Sequence, residues 1–477
     1  MCMQAATVTI SGKAPDYASK NIVVSTYADY VSRLKKEMLT INIDGEGNFH
    51  TETDLSEVTY VFIDLGSYVG YLYLEPGARY EIVLPPYAPR PDVERFNPFY
   101  EPQMIEIGLR GASSPLNQAI RDFDRFFQRE LARNARRLVR AHDKALADRL
   151  IERTDSAMRA TKCEKTYFKQ HVRYRQAQLY AAPRLSSGGN VLSNYFLGRP
   201  VLYNLPAYWD VINMMQPDPL DGLPRAESRK ALLTEERNPN PSFAKYSKLS
   251  AENPLWAKDR NLREALLLRT LQNNFYSKLT TDGRADTILI SAARECGADR
   301  NRMIAANIYA KKNKLKAGLP APELGLQDQA DRPVELKNFK DKFLYLCFMH
   351  TDNYECLKSM PALENLYRLH RADMEVLVIL TNEEPEEGFR TIANRGYSWQ
   401  TVSFITNQRL IFDYEVKALP TYFLIDPEGC ISIAQAPGPT EKVGPAIAAA
   451  IRKYQIEKLR GKPQVPRTIY DIAREAR

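Results

Sequence analysis

No two of the six cysteines in this 477-residue sequence stand three positions apart, so it contains no C-x-x-C. That absence removes the usual signals of a zinc knuckle and of a disulfide scaffold. Cys2, Cys163, Cys296, Cys347, Cys356 and Cys430 lie far apart along the chain and read mostly as small buried apolar residues. No apolar run reaches the 18 residues that a membrane-spanning helix needs, and neither a phosphate loop nor a dinucleotide fingerprint occurs. Histidine is scarce. His50, His142, His171 and His370 are too scattered to suggest a Ser-His-Asp or Cys-His arrangement. The fifth, His350, shares a loop with Asp352, Glu355 and Cys356, but their spacing matches no zinc pattern, so no metal and no cofactor are expected.

The chain does have enough length for two or three cores, at about 150 residues per domain. Its formal charge is +8. Arginine is dense from Arg121 to Arg159, but Asp122, Asp124, Glu130, Asp143, Asp148, Glu152 and Asp155 are interleaved there. The segment therefore reads as a solvated helical face, and no nucleic-acid partner is expected. The 27 tyrosines are assigned mainly to core and sheet packing.

The first hundred residues read as β. Runs at Thr7–Ile10, Ile22–Tyr27, Leu39–Ile43, Tyr60–Ile63, Tyr71–Leu74 and Tyr80–Leu84 alternate or cluster β-branched and aromatic residues between turn signals such as Asp44-Gly45-Glu46-Gly47. Short strands at this spacing argue for a β-sandwich. A proline-rich connection follows over 85–102. After Ser113-Ser114-Pro115, a cap with proline near the helix start, Leu116, Ile120, Phe123, Phe127 and Leu131 repeat at helical spacing. Further helices are expected at 165–182, 191–196, 261–276, 287–294 and 302–314, with proline-rich breaks at 217–224 and 238–241.

After the linker Gly318-Leu319-Pro320-Ala321-Pro322, an apolar run, Phe343–Met349, leads into Asn353-Tyr354-Glu355-Cys356 and then a helical stretch carrying Pro361. Further on stands Leu419-Pro420-Thr421, running into Phe423-Leu424-Ile425-Asp426-Pro427-Glu428-Gly429. Over roughly 320–459 these features resemble the TlpA-like branch of the thioredoxin superfamily. The first residues and the stretch 168–206 resemble, in turn, the small sandwich and helical insert of Bacteroidota envelope proteins that carry such a domain. The resemblance implies a fold that is multidomain α+β. It consists of a β-sandwich over 1–102, an α-helical module over 103–317, a thioredoxin-like α/β domain over 318–460 and a basic, exposed tail over 461–477.

In that family the active site reads C-x-x-C-x-x-x-x-P, which sets Cys356 on the second cysteine and Asn353 on the first, attacking one. The attacking cysteine works because the helix N-terminus favours its thiolate, and the second thiol resolves the mixed disulfide. An amide can do neither, and Asp352 replaces the usual tryptophan. The family's fold carries Cys430 away from Cys356, whereas Cys347 stays open as a partner. The resemblance also makes Pro420 a cis proline whose loop can pair with an extended peptide.

The expected function is thus a non-catalytic thioredoxin-fold protein of the cell envelope that binds a protein or extended peptide through Tyr354, Leu419, Pro420 and Thr421. The alternative is a single-cysteine thiol-disulfide oxidoreductase using Cys356. A carbohydrate-binding or structural use of the sandwich is not separable from the first at this level. Met1-Cys2-Met3-Gln4-Ala5-Ala6 resembles the tail of an export signal. Export to a Gram-negative periplasm or outer membrane is therefore expected, with membrane association only through a lipid on Cys2.

Overall fold

The computed structural model describes residues 5–91, 94, 100–111, 115–216, 218, 220, 223–236, 238–274, 284–382, 384–441, 443–461, 468, 469 and 471. Cys2, the cap at 113–114, part of the break at 217–224, the helix end at 275–276 and most of the tail lie outside these. The described residues form two units. One comprises 5–91, 101–311, 469 and 471; the other comprises 312–461 with 94, 100 and 468.

The first unit begins with nine strands: β1 (Ala6–Lys13), β2 (Asn21–Tyr27), β3 (Lys35–Asn42), β4 (Asn48–Leu55), β5 (Thr59–Asp64), β6 (Tyr68–Leu74), β7 (Arg79–Val83), β8 (Gln103–Glu106) and β9 (Gly108–Leu109). They form two sheets, in the orders β4-β1-β7-β9 and β3-β2-β5-β6-β8. Alternation sends Val8, Ile10 and Ile82 from one sheet and Ile22, Val24, Val61 and Leu72 from the other into a shared core. Gly12 is required where β1 passes between β4 and β7, because a Cβ there would stand 2.5 Å from both the Ile82 carbonyl oxygen and the Phe49 ring. Because β8 and β9 pair into these sheets, the sandwich runs past residue 102 to Leu109. Its strand β4 was not visible in the sequence.

Eleven helices follow among the described residues: α1 (Pro115–Arg140), α2 (Lys144–Ala160), α3 (Thr166–Ala181), α4 (Gly188–Val191) continued by a π-helical turn, α5 (Pro206–Met215), α6 (Ala226–Glu236), α7 (Phe243–Ser250), α8 (Pro254–Ala257), α9 (Arg260–Asn274), α10 (Arg284–Glu295) and α11 (Asp299–Lys312). The stripe Leu116, Ile120, Phe123, Phe127 on α1 is buried against Leu146 and Leu150 of α2 and Phe168 and Val172 of α3, and Tyr73 of β6 joins the same cluster. That contact makes sandwich and helices one unit. The rest of the helices enclose a second core around Trp209, Tyr208 and Tyr246. Ile469, expected on an exposed tail, is instead 4% exposed within this core; its apolar side chain gains by leaving water.

The second unit contains β10 (Leu326–Gln327), β11 (Pro333–Val334), β12 (Phe343–Met349), α12 (Tyr354–His370), β13 (Met374–Leu380), α13 (Pro385–Ala393), β14 (Gln400–Ser403), α14 (Leu410–Asp413), β15 (Thr421–Ile425), β16 (Ile431–Ile433) and α15 (Gly444–Leu459). Its main sheet has the order β14-β13-β12-β15-β16, with β12 parallel to β13 and antiparallel to β15. Every residue of β12 is buried, as a central strand covered on both faces requires. Successive side chains alternate between faces: Leu344, Leu346 and Phe348 meet Leu410 and Tyr414, while Phe343, Tyr345, Cys347 and Met349 meet the helix residues Met360, Leu363 and Ile447. This is the expected thioredoxin-like α/β domain.

Candidate functional site

The site forms where β12 ends and α12 begins. Asn353 adopts an extended backbone (φ −87°, ψ 120°), and its side-chain oxygen accepts a hydrogen bond from the Cys356 amide at 3.1 Å. Asn353 is therefore the N-cap of α12, a position this residue type favours because its oxygen satisfies an otherwise unpaired amide of the first turn. The helix starts at Tyr354, so Cys356 lies within its first turn.

Cys356 is 0% exposed, and its sulfur accepts a weak hydrogen bond from the His350 amide at 3.5 Å. Burial pushes its thiol up to about 11; the His350 amide opposes this and Glu355 adds to it. Cys347 faces the same side of the sheet, is also free, and is pushed well up by burial with Cys356 adding to the effect. Thiolate formation is disfavoured at both sulfurs, the reverse of what an attacking cysteine needs.

The surrounding loop is braced from β13. Thr351 donates its amide to the Asn382 oxygen (3.2 Å) and accepts from the Asn382 amide group at its hydroxyl (2.8 Å), while the Thr381 amide and hydroxyl both donate to the Met349 carbonyl. Behind Cys356, the Tyr422 hydroxyl donates to Ser359 Oγ at 3.0 Å, and Ser359 donates to the Cys356 carbonyl at 2.8 Å. Neither brace was apparent in the sequence, since each joins residues far apart in the chain; the polar pair Thr381-Asn382 ending an apolar strand is the one visible hint.

The Leu419–Pro420 peptide bond is cis, as the resemblance implied. Thr421 pairs with Phe348 in the β12–β15 ladder, which sets the proline loop at the end of β12 where α12 starts. Leu419, Pro420 and Thr421 are half-buried. The Thr421 hydroxyl donates to the Ala418 carbonyl at 2.6 Å, and among the described residues no hydrogen bond reaches the Leu419 backbone. Tyr354, in the first turn of α12, is 72% exposed. Cys430 lies beyond the far end of β15, bridged to Pro320, and is separate from the site.

Residues 317–434 match the sequence model of the AhpC/TSA family. The thiol-disulfide oxidoreductase ResA of Bacillus thuringiensis (strain Al Hakam) is 31% identical over 121 residues, which are 25% of this chain and 70% of that protein. The chain belongs to the thioredoxin-fold family of thiol-disulfide oxidoreductases. ResA of Bacillus subtilis (strain 168) is 28% identical over 26% of this chain and 68% of its own length. The crystal structure of the thioredoxin domain of a thiol-disulfide oxidoreductase from Bacteroides vulgatus is 21% identical, covering 28% of this chain and 96% of that one with a TM-score of 0.26. Within this family's fold, the present chain sets an asparagine cap and one buried thiol at the head of the helix.

Proposed function

We propose that this protein is a non-catalytic thioredoxin-fold protein of a bacterial cell envelope, and that its thioredoxin-like domain holds an extended segment of a protein partner against the cis-proline loop. The observation that carries the reading is the cap: Asn353 occupies the head of α12 with its side chain already bonded to the Cys356 amide, beside a thiol that burial keeps protonated. Without an attacking thiolate, dithiol exchange has no first step. The free Leu419 backbone beside half-buried Pro420 and Thr421 offers groups for strand addition, and exposed Tyr354 supplies aromatic contact area next to it. Export accords with the resemblance of the first residues to the end of a signal segment.

The test is a photoreactive residue at position 354 in cells that make the native partners, with an insulin-reduction assay run on the purified protein. Specific adducts that disappear in Thr421→Lys, together with insulin reduction no faster than the reductant alone, are expected. Turnover like that of a working thioredoxin would overturn the non-catalytic half of the proposal, and adducts no stronger than background would overturn the binding half.

A further inference from the structure

Most of the acidic residues interleaved with arginine between 121 and 159 in the sequence are drawn into contacts between helices instead of joining the arginines on the surface. Helical geometry separates them. Asp124 turns inward to bond His171 (2.8 Å) and Arg175 (3.2 Å) on α3. Glu130 is buried and paired with Arg153 at 2.5 Å, Asp143 caps α2 and pairs with Arg137 at 2.5 Å, Asp148 accepts from the Tyr180 hydroxyl at 2.5 Å, and Asp155 accepts from Gln176 at 2.6 Å. Five of the seven carboxylates are thus used to hold α1, α2 and α3 together. Asp122 and Glu152, like Asp148, stay exposed.

The outer face of α1 is left with Arg125, Arg129, Arg133, Arg136 and Arg140, all exposed. At 100° per residue these five, with Ala132 and Val139 between them, fall within about 120° of one another and extend for about 22 Å. From Arg125 to Arg140 that face contains no carboxylate; exposed Asp122 lies on it one turn before Arg125. Arg133 reaches Glu130 at 3.6 Å, Arg129 lies over the Phe126 ring, and Arg125 feels the charge of Glu106 on β8; among the described residues no acidic side chain comes within ion-pair distance of Arg125, Arg129, Arg136 or Arg140. Arg136 and Arg140 sit near the helix C-terminus, where the helix dipole favours cations, but Arg125 and Arg129 are mid-helix, where like charges one turn apart repel.

We propose that this stripe docks the protein onto an anionic phospholipid surface, independently of the thioredoxin-like site. Three features favour a lipid plane over another macromolecule. Every cation on α1 is arginine, whose fork matches phosphate oxygens in pairs. The stripe is straight and has no buried aromatic anchor of the kind that concentrates affinity in protein interfaces. Val139, 56% exposed among the arginines, offers an apolar side chain at headgroup depth.

The test is cosedimentation of the full chain with phosphatidylcholine vesicles, with and without phosphatidylglycerol. Binding is expected only with the anionic lipid, falling as salt rises. Each Arg→Gln change at 125, 129, 136 or 140 should weaken it about fivefold at low salt, with helix content unchanged by circular dichroism. Arg→Lys variants, which keep the charge but lose the fork, should bind more weakly than the wild-type chain and more tightly than the Gln variants. No binding by the wild-type chain, equal binding to both vesicle types, or undiminished binding by the quadruple Gln variant overturns the proposal. So does retention on a DNA duplex or on polyglutamate without retention on anionic vesicles.

Discussion

Asn353 caps α12 through the Cys356 amide, while burial of the Cys356 sulfur ties the site's chemistry to its stability. Burial raises the Cys356 thiol to about 11, above the ordinary thiol value near 8.5. A group raised in the folded state stabilises fully below its unfolded value, and that contribution is lost as pH rises from about 8.5 toward about 11. Alkylation of Cys356 by iodoacetamide, followed by mass spectrometry of its peptide, should therefore keep accelerating up to pH about 11. A plateau near 8.5 would mean that the sulfur is not held in the environment described. The substitution of asparagine for cysteine was legible because position 353 is fixed by its distance from Pro361. Its capping bond was not, although Asn is among the best N-caps, because helix starts shift by a residue or two in any sequence reading. Asn382 was missed for a different reason: its partner Thr351 is adjacent only after β12 and β13 have paired.

At the scale of elements, the contact between α12 and β15 depends on a buried pair of hydroxyls. Ser359→Ala would remove the partner of the Tyr422 hydroxyl, which is buried among apolar neighbours. The loss should cost about 1–3 kcal/mol. Adding Tyr422→Phe removes the orphaned group as well, so the double variant should recover much of that loss. Urea denaturation, following the transition of the second unit, checks both; a double variant that loses the sum of the two singles would show that the pair is not coupled.

The elements that sequence patterning captured are those whose pattern survives their burial. β12 and β13 are continuous apolar runs because both of their faces are covered. β4 was invisible because Asn48–Leu55 is an edge strand with one fully buried residue, Phe49, among polar ones. Helix α5 escaped for the opposite reason. Its Ala207, Tyr208, Trp209, Val211 and Ile212 are buried around most of its circumference, so no apolar stripe marks it, and the prolines nearby read as loop.

For the molecule as a whole, the sequence divided the chain at a proline-rich stretch, while the packing divides it at Lys311. Tyr73 of the sandwich is part of the helical core, a contact between surfaces that no periodicity announces. Ile469 was likewise hidden, because a lone apolar residue in a basic segment carries no pattern. Ile469→Ala should lower the stability of the first unit by about 2–5 kcal/mol, as a truncation in a packed core does. A change within about 0.5 kcal/mol, the range of surface substitutions, would return the segment to the solvent. Calorimetry of the full chain, with the transition of the second unit as internal reference, distinguishes the two.

The position of Ile469 also orders events in time. A ribosome releases the sandwich and the helices first, at about 5–20 residues per second, yet the side chain that fills the last place in their core emerges only after the entire thioredoxin-like domain has been made. A chain that emerges N-terminus first, from a ribosome or across a membrane, therefore presents most of the first unit before the side chain of Ile469 can join its core.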